Sequence, residues 1–139
     1  MQTHARTMRP MWRHLLRRGV TTVEVALTFP ILMLVLTFSV EAARLNTLRN
    51  TLENAAYEGA RRGIVPGATT LDVQNAAQSM LRTINAKDAV VTTNPSVIAA
   101  TTSSLTVTVD VPLASNSWIG RTTMQHMIRS CTLAREKSQ

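Results

Sequence analysis

Apolar and polar positions divide the 139-residue chain into stretches of different period. From Val20 to Val40 nearly every side chain is apolar or a hydroxyl, and Glu24 is the one charge among 21 residues. A helix of that length reaches roughly 30 Å, enough to cross the hydrocarbon core of a bilayer. The uncharged part, Val25–Val40, is only 16 residues, a marginal span on hydropathy alone. Beyond it, Leu45, Leu48, Leu52, Ala55 and Ala56 recur at three- and four-residue steps. The helix therefore continues with one apolar face to Arg62, and Gly63 and Pro66-Gly67 end it. Glu58 with Arg62, and Arg49 with Glu53 in the less favourable order, are the expected ion pairs along it. Ala55, Ala56, Gly59 and Ala60 are small enough for another element to approach closely.

A second helix is predicted after Pro66-Gly67. Thr69 or Thr70 can cap it, and Asp72 falls in its first turn, where the helix dipole favours an anion. Val73, Ala76, Ala77, Met80, Leu81 and Ile84 form its apolar stripe, with the methionine read as core. Ala89–Thr92 reads as a short strand ended by Asn94-Pro95. In the next strand Leu105, Val107, Val109 and Val111 alternate with Ser104, Thr106, Thr108 and Asp110, predicting one buried and one wet face. Pro112 ends that strand, and Ser115-Asn116-Ser117 and Gly120 mark a loop around Trp118. The segment 122–134 stays open: Met124, Met127, Ile128 and Cys131 fit a helix, whereas Thr122, Thr123, Ile128 and Thr132 are compatible with a strand.

Composition changes the picture mainly through where the charge lies. With 15 Lys and Arg against 8 Asp and Glu, the net charge is +7. Five of the arginines (Arg6, Arg9, Arg13, Arg17 and Arg18) stand in the first 19 residues, which hold no acid. The remaining 120 residues carry only +2, so the basicity belongs to a leader and gives no support to nucleic-acid binding. Basic residues before an apolar run also describe a secretory signal. Such a signal would end in a small-x-small site, and Val40-Glu41-Ala42-Ala43 is a poor one. A retained span, with the N-terminus in the cytoplasm and the head across the membrane, is favoured.

Catalytic chemistry is not expected. His4, His14 and His126 lack metal-ligand spacing, and one cysteine, Cys131, excludes both an internal disulfide and a multi-cysteine zinc site. Asp72, Asp88 and Asp110 read as a cap, a strand start and a wet strand position. No phosphate-binding loop, nucleophile elbow or carboxylate pair stands out, so no enzyme, cofactor or metal is expected. Glu24 is the odd residue. A carboxylate near the middle of a bilayer costs about 2.5–3.5 kcal/mol, so Glu24 either snorkels to the headgroups or has a cationic partner.

Arg17-Arg18-Gly19, then Val20-Thr-Thr-Val-Glu24-Val-Ala-Leu, then an apolar run broken by Pro30, resembles the class III leader of type IV-like prepilins. Together with Asn54-Ala-Ala-Tyr-Glu-Gly-Ala-Arg61 and Cys131-Thr-Leu-Ala-Arg-Glu136, it resembles the TadE-like branch, the minor pilins or pseudopilins of tight-adherence (Flp) pili. The resemblance implies that a prepilin peptidase cuts between Gly19 and Val20, beside the basic cluster Arg13, Arg17 and Arg18. It places an acid at the fifth residue of the product, which is Glu24, for assembly or processing. It makes Pro30 either a helix kink or a point of local melting. The chain exceeds the size of a major Flp pilin, which favours a minor subunit. Met8 and Met11 are alternative starts within the leader.

The resemblance also expects a final strand pairing with 104–111, and so an α+β fold: a long N-terminal helix, a second helix and a three-stranded antiparallel sheet. The expected organisation is a leader over 1–19, a transmembrane and assembly helix over 20–40, a helical spine over 41–63 and an α+β head over 64–139. The implied partners are the prepilin peptidase, other pilin or pseudopilin subunits, inner-membrane assembly proteins and the lipid bilayer. The alternative is a permanently anchored single-pass protein whose head binds a ligand.

Overall fold

Local capping and small-residue packing set the arrangement of the head. The computed structural model describes residues 12–99, 101–118 and 125–135, with side chains from Gly19 onward. The leader before Trp12 (with Arg6 and Arg9), the side chains of Arg13, His14, Arg17 and Arg18, and the predicted positions Gly120, Thr122, Thr123, Met124 and Glu136 lie outside the described residues. Helix α1 runs Trp12–Gly63 as one 52-residue element with Pro30 inside it, beginning eight residues before the start expected from the apolar run. The chain divides into two compact units, Met1–Val40 and Glu41–Gln139.

In the second unit, α1 is followed by a turn in which Gly67 takes φ +82°, the left-handed region that glycine enters without a Cβ penalty. Helix α2 (Thr70–Thr83) is capped by Thr69, which settles the choice between the two threonines. The Thr69 hydroxyl accepts from the Asp72 amide while the Thr69 amide donates to the Asp72 carboxylate at 2.9 Å, a reciprocal capping box. Its C-terminus closes with the amide of Asn85 bonded to the Arg82 carbonyl and that of Ala86 to the Leu81 carbonyl. Asn85, at φ +52°, supplies the left-handed residue that this closure needs.

Strands β1 (Val90–Asn94), β2 (Ser104–Pro112) and β3 (His126–Ala134) form an antiparallel sheet in the order β1-β2-β3. The open segment 122–134 thus resolves as a strand from His126 onward, with Ser104 opposite Ala134 and Pro112 opposite His126. The alternation predicted for β2 is realised: Leu105, Val107, Val109 and Val111 are buried, and the residues between them are not. On the wet face the Thr106 and Thr132 hydroxyls bond across the strands at 2.8 Å.

The buried face of the sheet meets both helices in one core. Leu48, Leu52, Ala55, Ala56 and Ala60 of α1 and Val73, Ala77 and Leu81 of α2 pack with Val91 and the β2 aliphatics. The small residues act as expected. A Cβ on Gly59 would stand 3.3 Å from Ala77 Cβ and from Val107 Cγ1, and one on Gly63 would fall 2.1 Å from Leu105 Cδ2. Three expectations are corrected. Met80 is 39% exposed, because the contact line of α2 runs through Val73, Ala77 and Leu81 and leaves it at the margin. Glu58 pairs with Arg61 at 3.5 Å, three residues on, instead of with Arg62. The 115–117 loop contains one helical turn, α3 (Leu113–Asn116), and Asn116 is buried within it. Its amide nitrogen donates to the carbonyls of Lys87 and Pro112 while its oxygen accepts from the Lys87 amide.

Candidate functional site

The first candidate is the apolar stretch of α1. Every residue from Gly19 to Val40 is exposed, with Val25, Phe29, Ile31, Leu34 and Phe38 pointing out on all sides. A helix that is apolar all round and uncovered by the described residues calls for lipid or neighbouring helices to bury it. The helix is long and apolar enough to cross a membrane. Its polar side chains suit that environment: the hydroxyls of Thr28, Thr37 and Ser39 donate to the carbonyls of Glu24, Met33 and Val35, one turn back, at 2.8–2.9 Å.

The residues singled out from the sequence fall at the start of this stretch. Gly19 has nothing within 4 Å of where a Cβ would stand, so the Gly19–Val20 backbone is open to approach. Val20 and Glu24, four residues apart, share a helix face and are both exposed. Pro30 lacks an amide hydrogen, which deprives the Ala26 carbonyl of its usual helical donor. Arg13, Arg17 and Arg18 are on the helical backbone of α1.

Sequence reasoning missed a second constellation, which lies wholly in the unit from Glu41 onward. In the sequence Glu41 stands out only as the residue that spoils a small-x-small site, yet it is 5% exposed. Its Oε1 accepts the Ser117 hydroxyl and, at 3.1 Å, the backbone N–H of Trp118. Its Oε2 is buried without a hydrogen-bond partner. One turn on, the Arg44 guanidinium lies 5.0 Å from the centroid of the Trp118 ring, within cation–π range. Glu41 and Ser117 are 76 residues apart in sequence, so no local pattern announces the pair. The only available signal was an acid one residue beyond a long apolar run.

The remaining candidates have structural partners. The Asp72 carboxyl is held below its usual range, chiefly by the Thr69 backbone amide, then by the Thr69 hydroxyl, with a smaller contribution from the charge of Arg62. Asp88 accepts from Ser115 at 2.6 Å, and Asp110 meets His126 Nδ1 at 2.8 Å across the β2–β3 pair. Cys131 is a half-buried free thiol beside the core. A groove of about 520 Å³ between Gly67–Leu71 and Val97–Ala99 is closed at one side by Arg135, which donates to the Ala99 carbonyl at 3.0 Å. Among the described residues no group of three His, Cys, Asp or Glu side chains is placed to hold a metal ion.

An apolar helix long enough to cross a membrane, followed by a small α+β head, defines the class as a membrane-anchored protein with a compact head. Residues 19–61 match the family described as TadE-like protein. Over that segment the chain is similar to TadE-like proteins, and the match takes in Gly19, Val20, Glu24, Pro30, Glu41 and the small-residue stretch ending at Arg61. No curated protein and no solved structure matches the chain.

Proposed function

We propose that this TadE-like protein is a minor pilin or pseudopilin, a structural subunit that takes part in assembling a tight-adherence pilus or a related secretion machine. The observation that carries this reading is the stretch Gly19–Val40, apolar on all sides and exposed throughout, with a lone acid little more than one turn from an accessible glycine. In this account the chain is made as an inner-membrane precursor with its arginine-rich end in the cytoplasm and its head outside. A prepilin peptidase then cuts between Gly19 and Val20. The new α-amine of Val20 has a reference pKa of roughly 7.7–8, so it is largely cationic at neutral pH.

Glu24 of one subunit then meets the Val20 amine of a neighbour. The pair desolvates at lower cost than either charge alone, and a neighbour out of register leaves both charges unpaired. Helix association in the membrane follows from packing and such polar pairing, since lipid already satisfies the apolar side chains. The head contributes surface rather than catalysis. Its partners in this account are other pilin-like subunits and inner-membrane assembly proteins, with no cofactor.

The intact mass of protein extracted from membranes, with and without a co-expressed prepilin peptidase, tests the reading. The expected product begins at Val20 only when the peptidase is present. The Glu24→Gln variant is expected to be recovered in the membrane while losing most of its cross-links to neighbouring helices. A chain that keeps Arg13–Gly19 in the presence of the peptidase favours the permanently anchored alternative instead.

A further inference from the structure

Trp118 is out of place by ordinary folding criteria. Asn116 and Ser117 beside it are buried, yet its indole, among the largest apolar side chains available, is 63% exposed. It is not a loose side chain. Its backbone N–H and the neighbouring Ser117 hydroxyl are both held by Glu41 Oε1, and its ring lies against Arg44. Glu41 is itself buried, so a carboxyl acceptor has been withdrawn from water to fix the base of an exposed aromatic. Among the described residues only Arg44 lies against the ring, and its remaining face is open to a partner.

The place of this corner in the sequence identifies what covers it. Glu41 is the residue after Val40, the last of the apolar run, and Arg44 is one turn further. At 1.5 Å per residue, Arg44 is about 6 Å of helix beyond Val40. The headgroup layer on each side of a bilayer is about 5–7 Å thick. Helical side chains lean towards the helix N-terminus, and Glu41, whose carboxyl holds the Trp118 amide, is the residue that directly follows the run. Tryptophan is favoured in that layer, where its ring meets acyl chains and its N–H meets water. A guanidinium beside it can pair with two oxygens of a lipid phosphate while keeping its face on the ring.

We propose that Trp118 and Arg44 form an interfacial lipid-docking corner, with the indole seated in the headgroup layer around the anchor and Arg44 on a phospholipid phosphate. Glu41 is the positioning residue that fixes the indole there. The inference rests on the reading of Val20–Val40 as a membrane span, and the test separates the two.

The chain has two tryptophans, Trp12 and Trp118, so full-length Trp12→Phe protein reports on Trp118 alone. It is reconstituted in phosphatidylethanolamine–phosphatidylglycerol vesicles whose acyl chains are brominated either near the headgroup or near the bilayer centre. The expected result is a blue-shifted emission that loses most of its intensity to the shallow bromines and little to the deep ones. A second chain, Trp12→Phe/Trp118→Phe/Phe29→Trp, reports on the span and is expected to be quenched by the deep bromines. Phe29 and Trp118 are both exposed, so neither of those two changes disturbs the core. Quenching of the Phe29→Trp reporter without quenching of Trp118 overturns the corner and leaves the anchor standing. A Trp118 emission that is shielded but insensitive to bromine places the ring against protein and also overturns it. An unquenched Phe29→Trp reporter overturns the anchor and the corner together. Glu41→Ala is expected to broaden the depth profile of Trp118, and Glu41→Gln, which keeps an acceptor oxygen, to restore it; a profile untouched by Glu41→Ala contradicts the positioning role.

Discussion

Asp72 shows how a single side chain ties the head's stability to pH. Its carboxylate accepts from the Thr69 amide at 2.9 Å and from the Thr69 hydroxyl at 2.7 Å, and both bonds favour the ionised form. The folded-state pKa therefore lies below the unfolded one. The resulting stabilisation is complete above the ordinary carboxylate range and is lost as pH falls through the lowered value. Acid titrations of the wild type and Asp72→Asn, followed by circular dichroism, should converge at low pH and separate as the pH rises, with the wild type the more stable at neutral pH. Parallel curves throughout would remove Asp72 from the account. This cap was legible in the sequence because both partners lie within four residues. Glu41 was not, because an acid is marked as buried only by what covers it, and Ser117 and Trp118 come from the far end of the head.

Among the elements, those with a short-range signal were legible from their own residues, whereas the last strand, decided by pairing, was expected only through the resemblance. The period-2 alternation of β2 needs no partner to be recognised, and the structure buries the expected four residues. In β3 the β-branched residues and the helical spacing of Met127 and Cys131 point in opposite directions. The register with β2 decides the matter, placing Leu133 beside Leu105 and Cys131 beside Val107. The approach of α1 to the sheet was foreseeable from its small residues, but its closeness was not. Gly63→Ala tests it. The gain in helix propensity is at most about 1 kcal/mol, and smaller at a helix end. The added methyl would overlap Leu105, which is 1% exposed and has no room to retreat. Overpacking of this kind costs about 1–3 kcal/mol, so a net loss is expected in the denaturant midpoint of the detergent-solubilised chain. An unchanged or raised midpoint would show that α1 does not approach β2 so closely.

For the molecule as a whole, the asymmetry visible in composition and the asymmetry of the structure agree. Five arginines precede an apolar stretch whose side chains find no cover among the described residues, and a nearly neutral head with its own core follows. Charge bias of this kind orients a span with its basic end in the cytoplasm. The resemblance to TadE-like proteins was legible because the residues that carry it, Gly19, Glu24 and Pro30, are close together in the sequence. The head beyond Arg61 lies outside the family match, and its role follows only from what it is attached to. The most direct test of the central claim, that Val20–Val40 spans the membrane and carries the head across it, is protease access to a C-terminally tagged chain. Protease added to spheroplasts is expected to remove the tag, and inverted inner-membrane vesicles are expected to protect it. Protection in spheroplasts, or a tagged head recovered free of the membrane before any protease is added, would contradict the account.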